Sequence, residues 1–123
     1  MAVKAAEHAL KSAAVTDLDT VIVATSTAAS TIPSTAAQVA ARLGLANPAA
    51  FDLNTACAGF CYALVCADSL IRSGTSRRVH VIAATIPLAL SRMIDSREIP
   101  AGEPIPLFGF GAGLAYAGQI VTL

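Results

Sequence analysis

The segment Asn54-Thr55-Ala56-Cys57-Ala58-Gly59-Phe60 sets a cysteine among small neighbours, between two elements of opposite character. Before it, Ala49-Ala50-Phe51-Asp52-Leu53 is a short apolar run that reads as a buried strand; after it, Phe60 to Arg72 reads as a helix ending at Gly74. Cys57 is therefore expected on a sharp strand-to-helix turn, where free backbone N–H groups and the positive helix end stabilise a sulfur anion. Ala56, Ala58 and Gly59 leave room for a carbonyl carbon to reach the sulfur. These are the requirements of a nucleophilic cysteine. The opposing reading is a small core residue, since free cysteines are among the most buried residue types; spacing alone leaves both open. Cys61 and Cys66 fall inside the apolar helix and read as packing. Cys57 and Cys61 are i, i+4 neighbours, yet no Cys-x-x-Cys pair or adjacent histidine accompanies them, so no metal site is expected.

A second chemical element is Gly109-Phe110-Gly111-Ala112-Gly113. It lies between two expected strands, lacks the lysine of a phosphate loop and opens no helix, which argues against a dinucleotide fingerprint. Glycines at a strand-to-strand turn usually serve conformation. The functional alternative is a tight turn that aims a backbone N–H at an oxyanion forming beside Cys57. The histidines offer less: His8 sits on a polar helix face and His80 between Val79 and Val81 in a strand, neither in a triad-like context.

The elements that must position these residues follow from periodicity. Val3, Ala6, Leu10 and Ala14 recur at helical spacing, giving a helix over 2–14. Thr20 to Thr25 is β-branched and apolar, a strand of the buried parallel kind. A small-residue loop over 26–34 leads through Pro33 into a helix over 34–43, closed by Gly44. Arg77 to Ala84 reads as a further strand, Pro87 to Ile94 as a helix with proline in its first turn, and 105–110 and 114–123 as a closing strand pair. Helices alternating with buried strands predict an α/β domain around a mostly parallel sheet.

Composition narrows the function classes. The chain has 123 residues, enough for one domain, with 55% hydrophobic and 13% charged residues and no net charge. So little surface charge suggests a large face covered in an oligomer or by a partner. No basic cluster beyond Arg77-Arg78 and no tryptophan means nucleic-acid binding has no basis. The longest apolar run, Ala56 to Ala67, is too short to span a bilayer. No apolar signal segment opens the chain, and three cysteines without export signals fit a reducing cytoplasm.

Several stretches together resemble β-ketoacyl-acyl-carrier-protein synthase III. They are Asp17 to Thr27, Pro33 to Ala37, Phe51 to Phe60, Ile71 to Gly74, and Leu107-Phe108-Gly109-Phe110-Gly111-Ala112-Gly113-Leu114. The resemblance implies a thiolase-like fold, a dimer, and acyl transfer in fatty-acid or polyketide initiation. An acyl-CoA primer would acylate the cysteine, followed by decarboxylative condensation with malonyl-acyl carrier protein, with no other cofactor. Carried over by motif, Cys57 is the nucleophile, the backbone N–H groups of Cys57 and Ala112 form the oxyanion hole, and Ile32 lines the primer pocket, often that of the neighbouring subunit. A polyketide starter synthase would differ only in primer and acceptor.

The chain also departs from that family. Its catalytic histidine in a Pro-His-Gln-Ala-Asn stretch and its asparagine in a Gly-Asn-Thr-Ser stretch have no counterpart here, and the family's first strands are missing. The chain passes from Val79-His80-Val81-Ile82-Ala83-Ala84, like the end of an N-terminal half, into Thr85-Ile86-Pro87-Leu88-Ala89-Leu90, like a segment near the C-terminus. An internal join near 83–85 is inferred, giving a single partial domain over 1–123, roughly one composite half. Its helix over 57–72 is expected to lose the facing sheet, favouring self-association or pairing with a full-length relative. The alternative function is a non-catalytic remnant or an acyl-binding or dimerisation module.

Overall fold

In a computed structural model that describes residues 1–123, three parallel strands form the centre of the chain. They are β1 (Thr20–Ala24), β2 (Ala49–Leu53) and β3 (Val79–Ile82), in the order β2-β1-β3. Val21 lies between Ala50 and His80, and Ile22 between Phe51 and Val81. β1 is the central strand because its β-branched residues can be buried on both faces, and Thr20, Val21, Ile22 and Val23 are. Val21 and Val23 face helices α1 (Ala2–Ala13) and α2 (Thr35–Arg42), packing with Ala6, Ala36, Val39 and Ala40. Ile22 faces the other way, onto Ala63 and Ala67 of helix α3 (Gly59–Arg72). The one buried polar pair, Thr20 and Ser76, satisfies itself at 2.8 Å.

Helix α2 is held at its start from two directions. The Ser34 hydroxyl accepts from the Ala37 N–H at 3.1 Å, an ordinary N-cap. Asp52 in β2 adds a second cap: Oδ2 accepts from the Thr35 N–H and Oδ1 from the Ala36 N–H, both at 2.8 Å. A carboxylate against a helix N-terminus makes charge-assisted bonds and ties β2 to α2. Asp52→Ala leaves both amides without that acceptor, so unfolding by urea should show a loss of about 1–3 kcal/mol with an unchanged slope.

The chain ends in helix α4 (Thr85–Asp95) and an antiparallel pair, β4 (Pro104–Gly111) and β5 (Ala115–Thr122). This pair is a separate sheet. It lies on the face of α3 turned away from the parallel sheet, so α3 is sandwiched between the two. The expectation that this helix loses its facing sheet is therefore corrected: the hairpin supplies one. Two bonds fix the contact, with the Tyr62 Oη donating to the Tyr116 carbonyl at 3.0 Å and the Cys61 Sγ to the Leu107 carbonyl at 3.7 Å. No residue of α4 is buried, and only 17 of the 123 are buried in the whole chain, so much of the apolar content stays on the surface.

Two ionisable groups link this frame to pH. Asp19 accepts from the Arg77 and Arg78 N–H groups at 2.7 and 2.9 Å, and those bonds hold its carboxyl below the usual range. Burial in β3 pushes the His80 imidazole down from its ordinary value, so the folded chain favours the neutral ring. Arg77 and Arg78 border the same hollow as His80 and add no anion to favour protonation. The unfolded chain takes up the imidazole proton first, so this contribution to stability is complete above about pH 6.5 and is lost as pH falls below it. His80→Phe should flatten the fall in melting temperature that begins below about pH 6.5, leaving the Asp19-linked loss below about pH 4 in place.

Candidate active site

The cleft at Cys57 opens where the three parallel strands end. Its walls are the strand ends and the segments that follow them: Ala24–Thr27 at the end of β1, Ala56, Cys57, Gly59 and Phe60 after β2, and Ala83–Thr85 after β3. It encloses about 220 Å³. A crevice outside the carboxyl ends of parallel strands is where open α/β sheets bind ligands. The Thr25 N–H donates to the Leu53 carbonyl at 3.1 Å, which holds the ends of β1 and β2 together just below it.

Cys57 stands on a single 3₁₀ turn, Ala56–Ala58, between β2 and α3, and its side chain is exposed to the cleft. The turn reverses direction by placing Ala56 at φ 46°, in the left-handed region that costs a non-glycine residue about 1–2 kcal/mol. The Ala58 N–H closes it by donating to the Thr55 carbonyl at 3.1 Å. Below, Gly59 packs so closely on β1 that a Cβ there would lie 3.0 Å from the Ala24 Cβ. The Thr55 hydroxyl is buried beside this contact without a hydrogen-bond partner.

Strand β4 presses on the turn from the opposite side. A Cβ on Gly109 would lie 3.0 Å from both the Ala58 Cα and the Cys57 carbonyl oxygen. One on Gly111 would lie 2.8 Å from the Thr55 carbonyl oxygen and 3.4 Å from the Cys57 nitrogen. The glycines therefore serve close approach of two backbones. Ala112 follows directly as the first residue of the hairpin turn. Cys57 and the adjoining main chain of a second segment thus come from positions more than fifty apart in sequence.

The other sequence-derived candidates divide. Burial pushes the Cys61 thiol up, against an opposing hydrogen bond from Gly109, so it stays protonated and inert at neutral pH. Ile32 is 88% exposed on the loop before Pro33 and does not border the Cys57 cleft of its own chain. His8 is exposed on α1, and His80 lies in β3 as its strand reading anticipates; neither borders the cleft. Sequence reasoning missed the left-handed Ala56, the orphaned Thr55 hydroxyl and the contribution of Ala83–Thr85. No local signal marks an alanine for positive φ; the sharpness required between strand and helix is the nearest one.

The fold is thiolase-like: the chain matches β-ketoacyl-[acyl carrier protein] synthase III of Thermus thermophilus with a TM-score of 0.85, over 99% of this chain and 83% of that one, at 20% identity. Residues 51–118 match the family 3-oxoacyl-[acyl-carrier-protein (ACP)] synthase III, and the chain belongs to that family. The β-ketoacyl-[acyl-carrier-protein] synthase III of Deinococcus deserti is 46% identical over 107 residues, 87% of this chain but 29% of that protein. A solved 3-oxoacyl-[acyl-carrier-protein] synthase III from Aquifex aeolicus is 46% identical, with a TM-score of 0.64 over 66% of this chain and 27% of that one. The chain thus spans about a third of the length of the curated relatives it matches. No helix is long and apolar enough to cross a membrane.

Proposed function

We propose that this chain carries out the acyl-transfer half of a synthase III reaction, with Cys57 as nucleophile. The Cys57 thiol gives its proton to solvent, its sulfur attacks the thioester carbonyl of a short acyl-CoA, the carbon–sulfur bond to CoA breaks, and CoA leaves as a thiolate that takes a proton back from solvent. The acyl group stays on Cys57 as a new thioester. The Cys57 and Ala112 backbone N–H groups stabilise the oxyanion formed on the way. The observation that carries this reading is the close approach of Gly111 to the backbone nitrogen of Cys57, a residue that itself lines an open cleft.

Decarboxylative condensation with malonyl-acyl carrier protein completes the reaction in this reading only when another chain supplies the missing histidine and asparagine, since charge on the malonyl thioester needs such donors. Pairing with a second copy, which lacks that histidine and asparagine too, or with a longer relative brings Ile32 to a neighbour's cleft, where a branched aliphatic selects among primers by about 1–3 kcal/mol per methylene. The join near 83–85 fits the architecture, because β4 and β5 leave the parallel sheet and form their own on the far side of α3. Reading the gene across the codons for Ala83 to Ile86 tests it.

The experiment is incubation with acetyl-CoA and malonyl-acyl carrier protein, followed by intact mass and product analysis. An acyl adduct without ketoacyl product is expected. A well-folded sample with no adduct would instead support the non-catalytic remnant, a reading favoured by the histidine-free cleft.

A further inference from the structure

A hollow of about 390 Å³ lies where the last turn of α1, the end of α3 and the start of β3 converge. The strands are parallel, so this is the end of the sheet away from Cys57, and the two cavities share no lining residue. Seven of its ten lining residues are hydrophobic, so a ligand there must carry an apolar body. Leu10, Val15, Leu18, Ile71 and Val79 supply the large surfaces, and Ile71 stands 48% exposed. The polar remainder is Arg77, Arg78 and His80, and no carboxylate lines the hollow. The acids nearby are already engaged. Asp19 accepts from the Arg77 and Arg78 N–H groups, and Asp17 pairs with the Arg78 guanidinium. Arg77 is the cation left over: its Nε is 4.0 Å from Asp19, beyond hydrogen-bond reach, and its side chain is 83% exposed.

We propose that this hollow binds a free aliphatic carboxylate of medium chain length, its alkyl chain against Leu10, Leu18 and Ile71 and its carboxylate on the Arg77 guanidinium. A planar guanidinium takes a carboxylate through two parallel N–H bonds. A sugar or nucleotide phosphate would also suit that fork, but its polar body would go unpaired against the apolar lining. A chain held as a thioester brings no charge to Arg77, so the ligand is the free acid rather than a carrier-bound acyl group. The chemistry of Cys57 is not involved, and this proposal and the acylation reading fail separately.

Proton NMR of the full chain, titrated with hexanoate, octanoate and decanoate, tests it. The His80 ring signals should move while those of His8, which does not line the hollow, stay fixed. Affinity should rise about fourfold per added methylene, the worth of one buried CH₂. Arg77→Gln should weaken decanoate binding about tenfold to a hundredfold, as expected for a charged hydrogen-bonded pair, and leave methyl decanoate unchanged. Ala13→Trp, on the exposed end of α1, fills the hollow and should abolish binding of both, with circular dichroism unchanged. Methyl decanoate binding as tightly as decanoate, or one affinity for all three chain lengths, overturns the proposal. So do shifts that leave His80 still and appear instead at the exposed Phe108, Phe110 and Tyr116 rings of the hairpin.

Discussion

Gly111→Val should slow acylation of Cys57 by about 10²–10³-fold, the usual cost of removing one oxyanion donor. A Cβ at this position falls 2.8 Å from the Thr55 carbonyl oxygen, which belongs to backbone and cannot rotate away. The strand must therefore retreat from the nucleophile turn, taking the Ala112 N–H with it. Overpacking of this kind also costs stability, about 1–3 kcal/mol. Gly118→Ala separates the two effects. Its only tight contact is with the Phe108 ring on the outer face of the same hairpin, the Leu107 carbonyl oxygen lying at an ordinary 3.5 Å, so acylation should be unchanged. Stopped-flow release of CoA thiol with acetyl-CoA reads both variants; equal rates for Gly111→Val and the parent would remove the hairpin from the chemistry.

Cys57→Ser carries the other large effect. A serine hydroxyl in a cleft without a histidine has no base to activate it, so acyl-adduct formation should fall on the order of 10⁴-fold or more. The side chain is exposed, and the thermal midpoint should stay with the parent. Cys61→Ala should do the reverse. It removes a buried sulfur bonded to the Leu107 carbonyl, lowering stability while adduct formation persists. Intact mass and a melting curve on the same samples distinguish the two cysteines, which lie one helical turn apart.

Much of the parallel unit was legible in the sequence because its signals are local. The β-branched run 20–25, the Ser34 cap and the glycines after α2 and α3 act within a few residues, and each element follows. The strand-to-helix turn at Cys57 was legible for the same reason. What local pattern does not encode is which face an element meets. The hairpin alternates as any half-buried strand pair does, and nothing in that alternation says that it covers α3 rather than extending the sheet beyond β3. Asp52 is similar: as a strand residue before the nucleophile it reads as incidental, yet it caps a helix that starts seventeen positions earlier. The glycines of 109–111 suggested a turn, but they act as flat surfaces against a distant turn. The pocket role that the resemblance implies for Ile32 has no counterpart within the chain, where Ile32 stands exposed and away from the cleft.

The central claim is that one sulfur of three is the acceptor because of where the backbone places it. Peptide mapping after brief exposure to isotopically labelled acetyl-CoA tests this directly. The label is expected on the peptide containing Cys57 alone, with Cys61 and Cys66 unmodified. Label spread over all three, or found on Cys66 while Cys57 stays free, would contradict it.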